Sequence, residues 1–135
     1  MKPIAIVHKM FDNDAFSQWL GIEILESKVG SCKVAMTIRK DMLNSMGKAH
    51  GGITYSLADT AFGFTVNTNG RFAVSIETSI NHIEALEEGD YIVAEASLES
   101  LKNKLGFYVI EVKKEQTLVA LFKGVAYRTT KEWEE

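Results

Sequence analysis

Cysteine and proline are almost missing from this chain: each occurs once, at Cys32 and Pro3. A single thiol excludes an internal disulfide framework and any Cys-rich zinc module. With one proline, the turns must be built from Gly, Asn and Asp. No run of eighteen apolar residues occurs, so the sequence offers no membrane-spanning helix. Positive charge is not in excess: 15 Lys+Arg stand against 18 Asp+Glu, a net charge of −3. That balance argues against an electrostatically driven nucleic-acid binder. The opening MKPIAIVHKMF has too short an apolar core before His8 and Lys9 for an export signal. The expectation is a cytoplasmic protein.

What is present is ordinary for a globular chain. Hydrophobic residues make up 46% and charged residues 24% of 135 positions. This length fits one domain, 1–135, able to bury roughly two-thirds of its unfolded surface without a metal or disulfide staple. No linker, repeat or low-complexity stretch interrupts it.

The patterning predicts a short helix over 12–20, capped by Asp12 or Asn13 and ended by Gly21. Residues 22–28 and 31–38 read as strands joined at Gly30, with Val34, Met36 and Ile38 alternating. Residues 39–49 read as an irregular loop. Residues 51–68 form the one long helix, about 27 Å in length. Its apolar side chains sweep roughly 220° of the helical wheel, so it must be surrounded on several sides. Strands follow at about 72–83, 90–100, 106–115 and 117–129, with Val74, Ile76, Thr78 and Ile80 in alternation. The fold class is α+β: an antiparallel sheet of five or six strands curled around a central helix.

Two features of that helix carry chemistry. Asp59 is its only charged residue, and a buried carboxylate costs several kcal/mol unless paired or hydrated. One reading has it facing solvent. The other is suggested by its neighbours on the arc, Ser56, Thr60, Gly63 and Asn67, which are small and uncharged, as at a contact surface. The second feature is the sequence AHGG at 49–52. Two glycines at a helix start leave the free N–H groups open, and the dipole there favours an oxyanion. A tight turn would also explain them, and His50 would serve equally as a cap or in packing. Gly51 and Asp59 are eight positions apart, about 12 Å along one helix. They cannot both reach one carbon, since reacting atoms approach to about 3–3.5 Å. If both act in one site, two chains with antiparallel helices must supply it. The same separation argues against a His50–Asp59 dyad within one chain.

The segments NDAFSQWLGIEI, MLNSMGKAHGGITYSLADTAFGFTVNTNG and QTLVALFKGVAYRT resemble the hotdog-fold acyl-CoA thioesterases of the phenylacetate-degradation (PaaI-like) type. The resemblance covers nearly the whole chain and centres on Asn44, His50-Gly51-Gly52 and Ala58-Asp59. It implies a sheet wrapped around a helix. It also implies a homodimer, often paired into a dimer of dimers, with active sites at the dimer interface. It puts the catalytic carboxylate at Asp59, the carbonyl-polarising N–H at Gly51, and an amide near the thioester or attacking water at Asn44. His50 would line the site, and Ser75 is the match to a serine that orients water in some relatives. Gly52 and the turn Lys102-Asn103-Lys104 would meet the substrate, the lysines as point charges for coenzyme phosphates; an ordinary solvated turn is the other reading. Where relatives carry Arg-Pro after the third strand, this chain has Ile83-Glu84-Ala85.

The resemblance therefore implies hydrolysis of an acyl- or aryl-CoA thioester to free acid and CoA. Asp59 would act as general base or nucleophile. No metal or separate cofactor is implied, coenzyme A being part of the substrate. The alternative is a non-catalytic acyl-CoA-binding sensor on the same fold. Cys32, His8 and His82 receive no role. Tyr55, Phe62 and Phe64 are read as core first and pocket lining second.

Overall fold

A computed structural model describes residues 1–134. Helix α3, Gly51–Asn67, lies at its centre. Around it runs a six-stranded antiparallel sheet: β1 Glu23–Lys28, β2 Ser31–Thr37, β3 Arg71–His82, β4 Tyr91–Leu101, β5 Leu105–Lys114 and β6 Thr117–Glu132. The spatial order is β1-β2-β4-β5-β6-β3. This is the hotdog arrangement, and the strand boundaries fall close to those read from the alternation.

Wrapping works because the helix is apolar nearly all round. Ile53, Leu57, Ala58, Ala61, Phe62, Phe64 and Val66 are all buried. Phe62 meets Phe122 of β6 and the edge of Tyr108 of β5, each at 5.8 Å between centroids. Gly124 makes room for it: a Cβ there would come within 2.6 Å of the Phe62 ring. Tyr55 ties the helix to β3, its hydroxyl 2.5 Å from Thr78 Oγ1.

The helix is fastened at its far end by Asn67. Its Nδ2 donates to the carbonyls of Gly63 and Ala73, and its Oδ1 accepts from Ala73 N–H and Trp133 Nε1. One amide thus joins the helix end, the start of β3 and the C-terminal segment.

The N-terminal region departs from the expected single helix over 12–20. Two helices occupy it, α1 Pro3–Asp12 and α2 Ala15–Leu20. Pro3 opens α1, where its missing N–H costs nothing. The cap of α2 is Asp14, which accepts from Ser17 N–H at 3.0 Å, not Asp12 or Asn13. Gly21 ends α2 in the left-handed region, as expected. The loop over 39–49 contains a 3₁₀ turn, Lys40–Met42, and a single bridge between Leu43 and Ala49. β3 does not sit beside β4, which follows it in sequence. It lies at the sheet margin, with β6 as its one neighbouring strand among the described residues.

Candidate active site

The chain enters α3 through a fixed approach. Ala49 N–H donates to Leu86 O and His50 N–H to Met42 O, both at 2.8 Å. His50 is the N-cap, and its Nδ1 accepts from Gly52 N–H at 2.9 Å. An accepting Nδ1 is unprotonated, so the ring's proton sits on Nε2 when it is neutral. The cap occupies the Gly52 donor. Among the described residues, Gly51 N–H has no acceptor in the chain. Of the two glycines, Gly51 is therefore the one with an available donor at the positive end of the helix.

Gly51 lines a cleft of about 490 Å³ together with Asn44, Lys48, Thr54, His82 and Glu84. Asn44 Oδ1 accepts from Met46 and Lys48 N–H at 2.9 and 3.1 Å, which shapes the turn. Its amide nitrogen has no acceptor among the described residues and remains a donor at the cleft. His82 is the residue that sequence reasoning missed. It is not isolated: its ring lies against Gly51, where an added Cβ would be 3.2 Å from Nε2. The signal was the strand period. Thr78 and Ile80 turn toward α3, and His82 continues that series.

Asp59 lies two turns further along the helix in a second cleft of about 300 Å³, with Met10, Asp14, Phe16, Ser17, Thr60, Gly63 and Phe64. It is half-buried, and burial pushes its carboxyl above the ordinary value. It makes no ion pair among the described residues. Between the two clefts, a third of about 410 Å³ is lined by Phe16, Trp19, Leu43, His50, Gly52 and Ser56, among others. The polar arc of α3 is thus open from Gly52 to Gly63, whereas Asn67, expected on the same contact surface, is buried at the helix end, and Asp59 faces neither the core nor a cation.

The structure groups the expected Asn44 and Gly51 with His82, which had no expected role, in one cleft and leaves the other expected residues outside it. Ser75 is exposed beside a bulge of β3, seven residues and about 23 Å from His82. Lys102, Asn103 and Lys104 form the β4–β5 turn, which Arg71 and Arg128 hold by donating to the carbonyls of Asn103 and Lys102. That turn lies near the start of β3, whereas the Gly51 cleft lies at its end. No cluster of three metal-ligating side chains occurs among the described residues, and no helix is long and apolar enough to cross a membrane.

Comparison with known proteins decides the family. The thioesterase superfamily model matches residues 46–121, which run from the turn after Asn44 through α3, β3, β4 and β5 into β6. The chain belongs to the thioesterase superfamily. Within it, the acyl-coenzyme A thioesterase PaaI of Escherichia coli is 38% identical over 122 residues, covering 90% of this chain and 87% of the relative. The solved structure of the E. coli PaaI protein superposes with a TM-score of 0.93 at 35% identity, over 96% of this chain and 95% of that one. The TT0310 protein of Thermus thermophilus gives 0.84 at 38% identity, over 86% and 98%. This thioesterase is PaaI-like in both sequence and fold, and it is a thioester hydrolase.

Proposed function

We propose that the enzyme hydrolyses an acyl- or aryl-CoA thioester to free acid and CoA, at a site that two copies of the chain complete. The observation that carries this reading is the split on α3. An unoccupied N–H at Gly51 and an unpaired carboxylate at Asp59 lie about 12 Å apart on one rigid helix. The chemistry needs both within reach of one carbonyl carbon, and a second, antiparallel helix supplies the missing half.

The free edge of β3 supports the pairing. One side of this twelve-residue strand bonds to β6 and the other has no partner strand among the described residues. Val74 and Ile76 stand 55% and 58% exposed on it. A long unpaired edge with exposed apolar residues is a template for another strand. A second β3 laid antiparallel along it brings the two α3 helices side by side with opposite directions.

In that dimer the thioester oxygen sits at Gly51 N–H, with the Asn44 amide nearby. Water adds to the carbonyl carbon as Asp59 of the second copy takes its proton. The oxyanion is held by Gly51 N–H and the helix dipole, a contribution typically worth about 100-fold or more in rate. Collapse breaks the C–S bond, and the sulfur leaves with the proton from Asp59. Direct attack by the carboxylate is the other route through the same residue, giving an anhydride that water then opens. A raised carboxyl pKa suits the base role, since basicity increases toward the working pH.

The test is thiol release from a panel of aromatic and aliphatic acyl-CoAs by wild type and Asp59→Asn. Turnover by wild type with a loss of about 100-fold or more in the folded variant is the expected result. Equal turnover by the two proteins removes Asp59 from the mechanism. Binding without thiol release across the panel converts the protein into a sensor.

A further inference from the structure

The His82 imidazole covers the start of α3 without holding it. It is the last residue of β3 and shares the Gly51 cleft with Asn44, Thr54 and Glu84. The hydrogen bonds around that cleft belong to other groups. Lys48 Nζ donates to Glu87, Gly52 N–H donates to His50 Nδ1, and the Tyr55 hydroxyl bonds to Thr78. Neither ring nitrogen of His82 has a partner among the described residues, and the ring forms no ion pair with Glu84. An imidazole always carries at least one N–H, so a donor without a protein acceptor stands at the helix start.

Its position relative to Gly51 can be bounded. The Cβ of a helical residue leans toward the N-terminus, the end at which the first-turn N–H groups open. The place of a Cβ on Gly51 therefore lies beside the opening of its own N–H. His82 Nε2 is 3.2 Å from that place, and the flanking Cε1 and Cδ2 are 3.4 and 3.8 Å from it. Distances so close together mean that the ring meets Gly51 with its face. The Nε2–H bond, which lies in the ring plane, then runs alongside the glycine and is not spent against it. A Cβ sits about 2.5 Å from the backbone nitrogen of its own residue, so Nε2 is no more than about 5.7 Å from Gly51 N. At roughly 2.9 Å for each hydrogen bond, two donors up to about 5.8 Å apart reach one oxygen. Gly51 N–H and His82 Nε2–H fall within that limit.

We propose that His82 is a catalytic residue, its Nε2–H donating together with the Gly51 N–H to the carbonyl oxygen of the thioester. This inference rests on the acyl-CoA reading above, and it adds a side chain that the helix itself does not carry. The bond is modest to a neutral carbonyl and strengthens as water adds and the oxygen becomes anionic. The proton stays on Nε2 throughout. When the adduct collapses and the C–S bond breaks, the restored carbonyl still rests on the same two donors. A single N–H leaves the carbonyl free to pivot, whereas two donors fix its plane for attack from the second copy.

The experiment compares wild type, His82→Phe and His82→Gln. Phenylalanine keeps a ring over Gly51 and removes the donor. Glutamine returns an N–H near the Nε2 position. The side chain is exposed, so both variants keep the fold, which matched melting curves verify. The expected result is a kcat about 100-fold lower in His82→Phe at unchanged KM, with at least about tenfold regained in His82→Gln. A second readout uses S-phenacyl-coenzyme A, a ketone with a methylene between sulfur and carbonyl that cannot be hydrolysed. Infrared difference spectra of the saturated wild type should place its carbonyl stretch below the solution value. That shift should shrink in His82→Phe and return in His82→Gln. Unreduced turnover in His82→Phe, equal losses in the two variants, or one carbonyl stretch common to all three proteins overturns the donor pair. If the carbonyl is polarised through His82 yet wild type releases no thiol from any thioester, the donor pair stands and the hydrolytic reading falls.

Discussion

The imidazole of His82 sits where the first atom of any side chain at position 51 would go. The distance from that Cβ to Nε2 would be 3.2 Å, tighter than ordinary van der Waals contact. Glycine at this helix start therefore does two things: it leaves the N–H open, and it lets the end of β3 close over it.

The first prediction follows from that contact. Gly51→Ala should lower kcat by about tenfold or more, through displacement of His82 and of the carbonyl beside it. Thermal stability should change little, because alanine is the better helix former. Replacing His82 by Ala in the same chain should recover part of the lost rate. No recovery would mean that the clash is relieved elsewhere.

Asp59 gives a prediction about stability as well as rate. Its carboxyl is raised by burial, so folding favours the protonated form. Its contribution is fully present below the unfolded pKa and is lost as pH rises through the folded value. Asp59→Asn should accordingly raise the melting temperature at pH 7, by about 2 °C or more. The advantage should fade below pH ~4, where wild-type Asp59 is protonated too. In wild type, kcat/KM should rise with pH through an apparent pKa above the usual carboxylate range. A melting difference independent of pH would tie the effect to packing rather than charge.

Mixing inactive chains tests the shared site directly. A Gly51 variant and Asp59→Asn, each inactive alone, should regain activity when their dimers are allowed to exchange. A mixed dimer holds one intact site of two, and random exchange makes half the dimers mixed. Recovery to about a quarter of wild-type turnover is therefore expected. A flat baseline in a mixture shown to exchange would place both groups in one chain's site.

The edge of β3 makes a separate prediction. Ile76→Lys puts a charge on the exposed margin strand and should shift the protein toward monomer in light scattering. Turnover should fall in parallel with the dimer fraction. Full activity in a monomer would contradict a two-chain site.

Packing supplies the last. Gly124→Ala drives a methyl group to within 2.6 Å of the Phe62 ring, inside a core with no slack. The expected cost is about 1–3 kcal/mol, read as a lower denaturation midpoint.

The strands and central helix were legible because their periodicity is strong: Val34, Met36 and Ile38 alternate, and α3 holds one charge in seventeen residues. Asp59 and Gly51 stood out for reasons that survive in the structure, a carboxylate without a cation and a helix start without a side chain. α1 lies outside the expected elements because MKPIAIVHKMF reads first as an apolar segment too short for an export signal. Its helical signal lay in Ile6, Val7, Met10 and Phe11, spaced on one face. His82 was missed because it is 31 positions from Gly51, and only the β3–β6 pairing at the sheet margin brings it back. The Arg71–Arg128 cluster was invisible for the same reason: its members come from two strands and a turn. Sequence distance hides such groupings, whereas a helix displays its own.

Helix α3 is clamped at both ends, by the His50 imidazole at its start and by the Asn67 amide with Trp133 at its finish. It can therefore move only as a rod. In the proposed dimer, each rod delivers its glycine to one reaction centre and its carboxylate to the other. A shift of one rod along the other changes the glycine-to-carboxylate offset by the same amount at both centres, because the two rods run antiparallel about a two-fold axis. The two centres are then mechanically geared and tighten or loosen together, without any loop or hinge to mediate it.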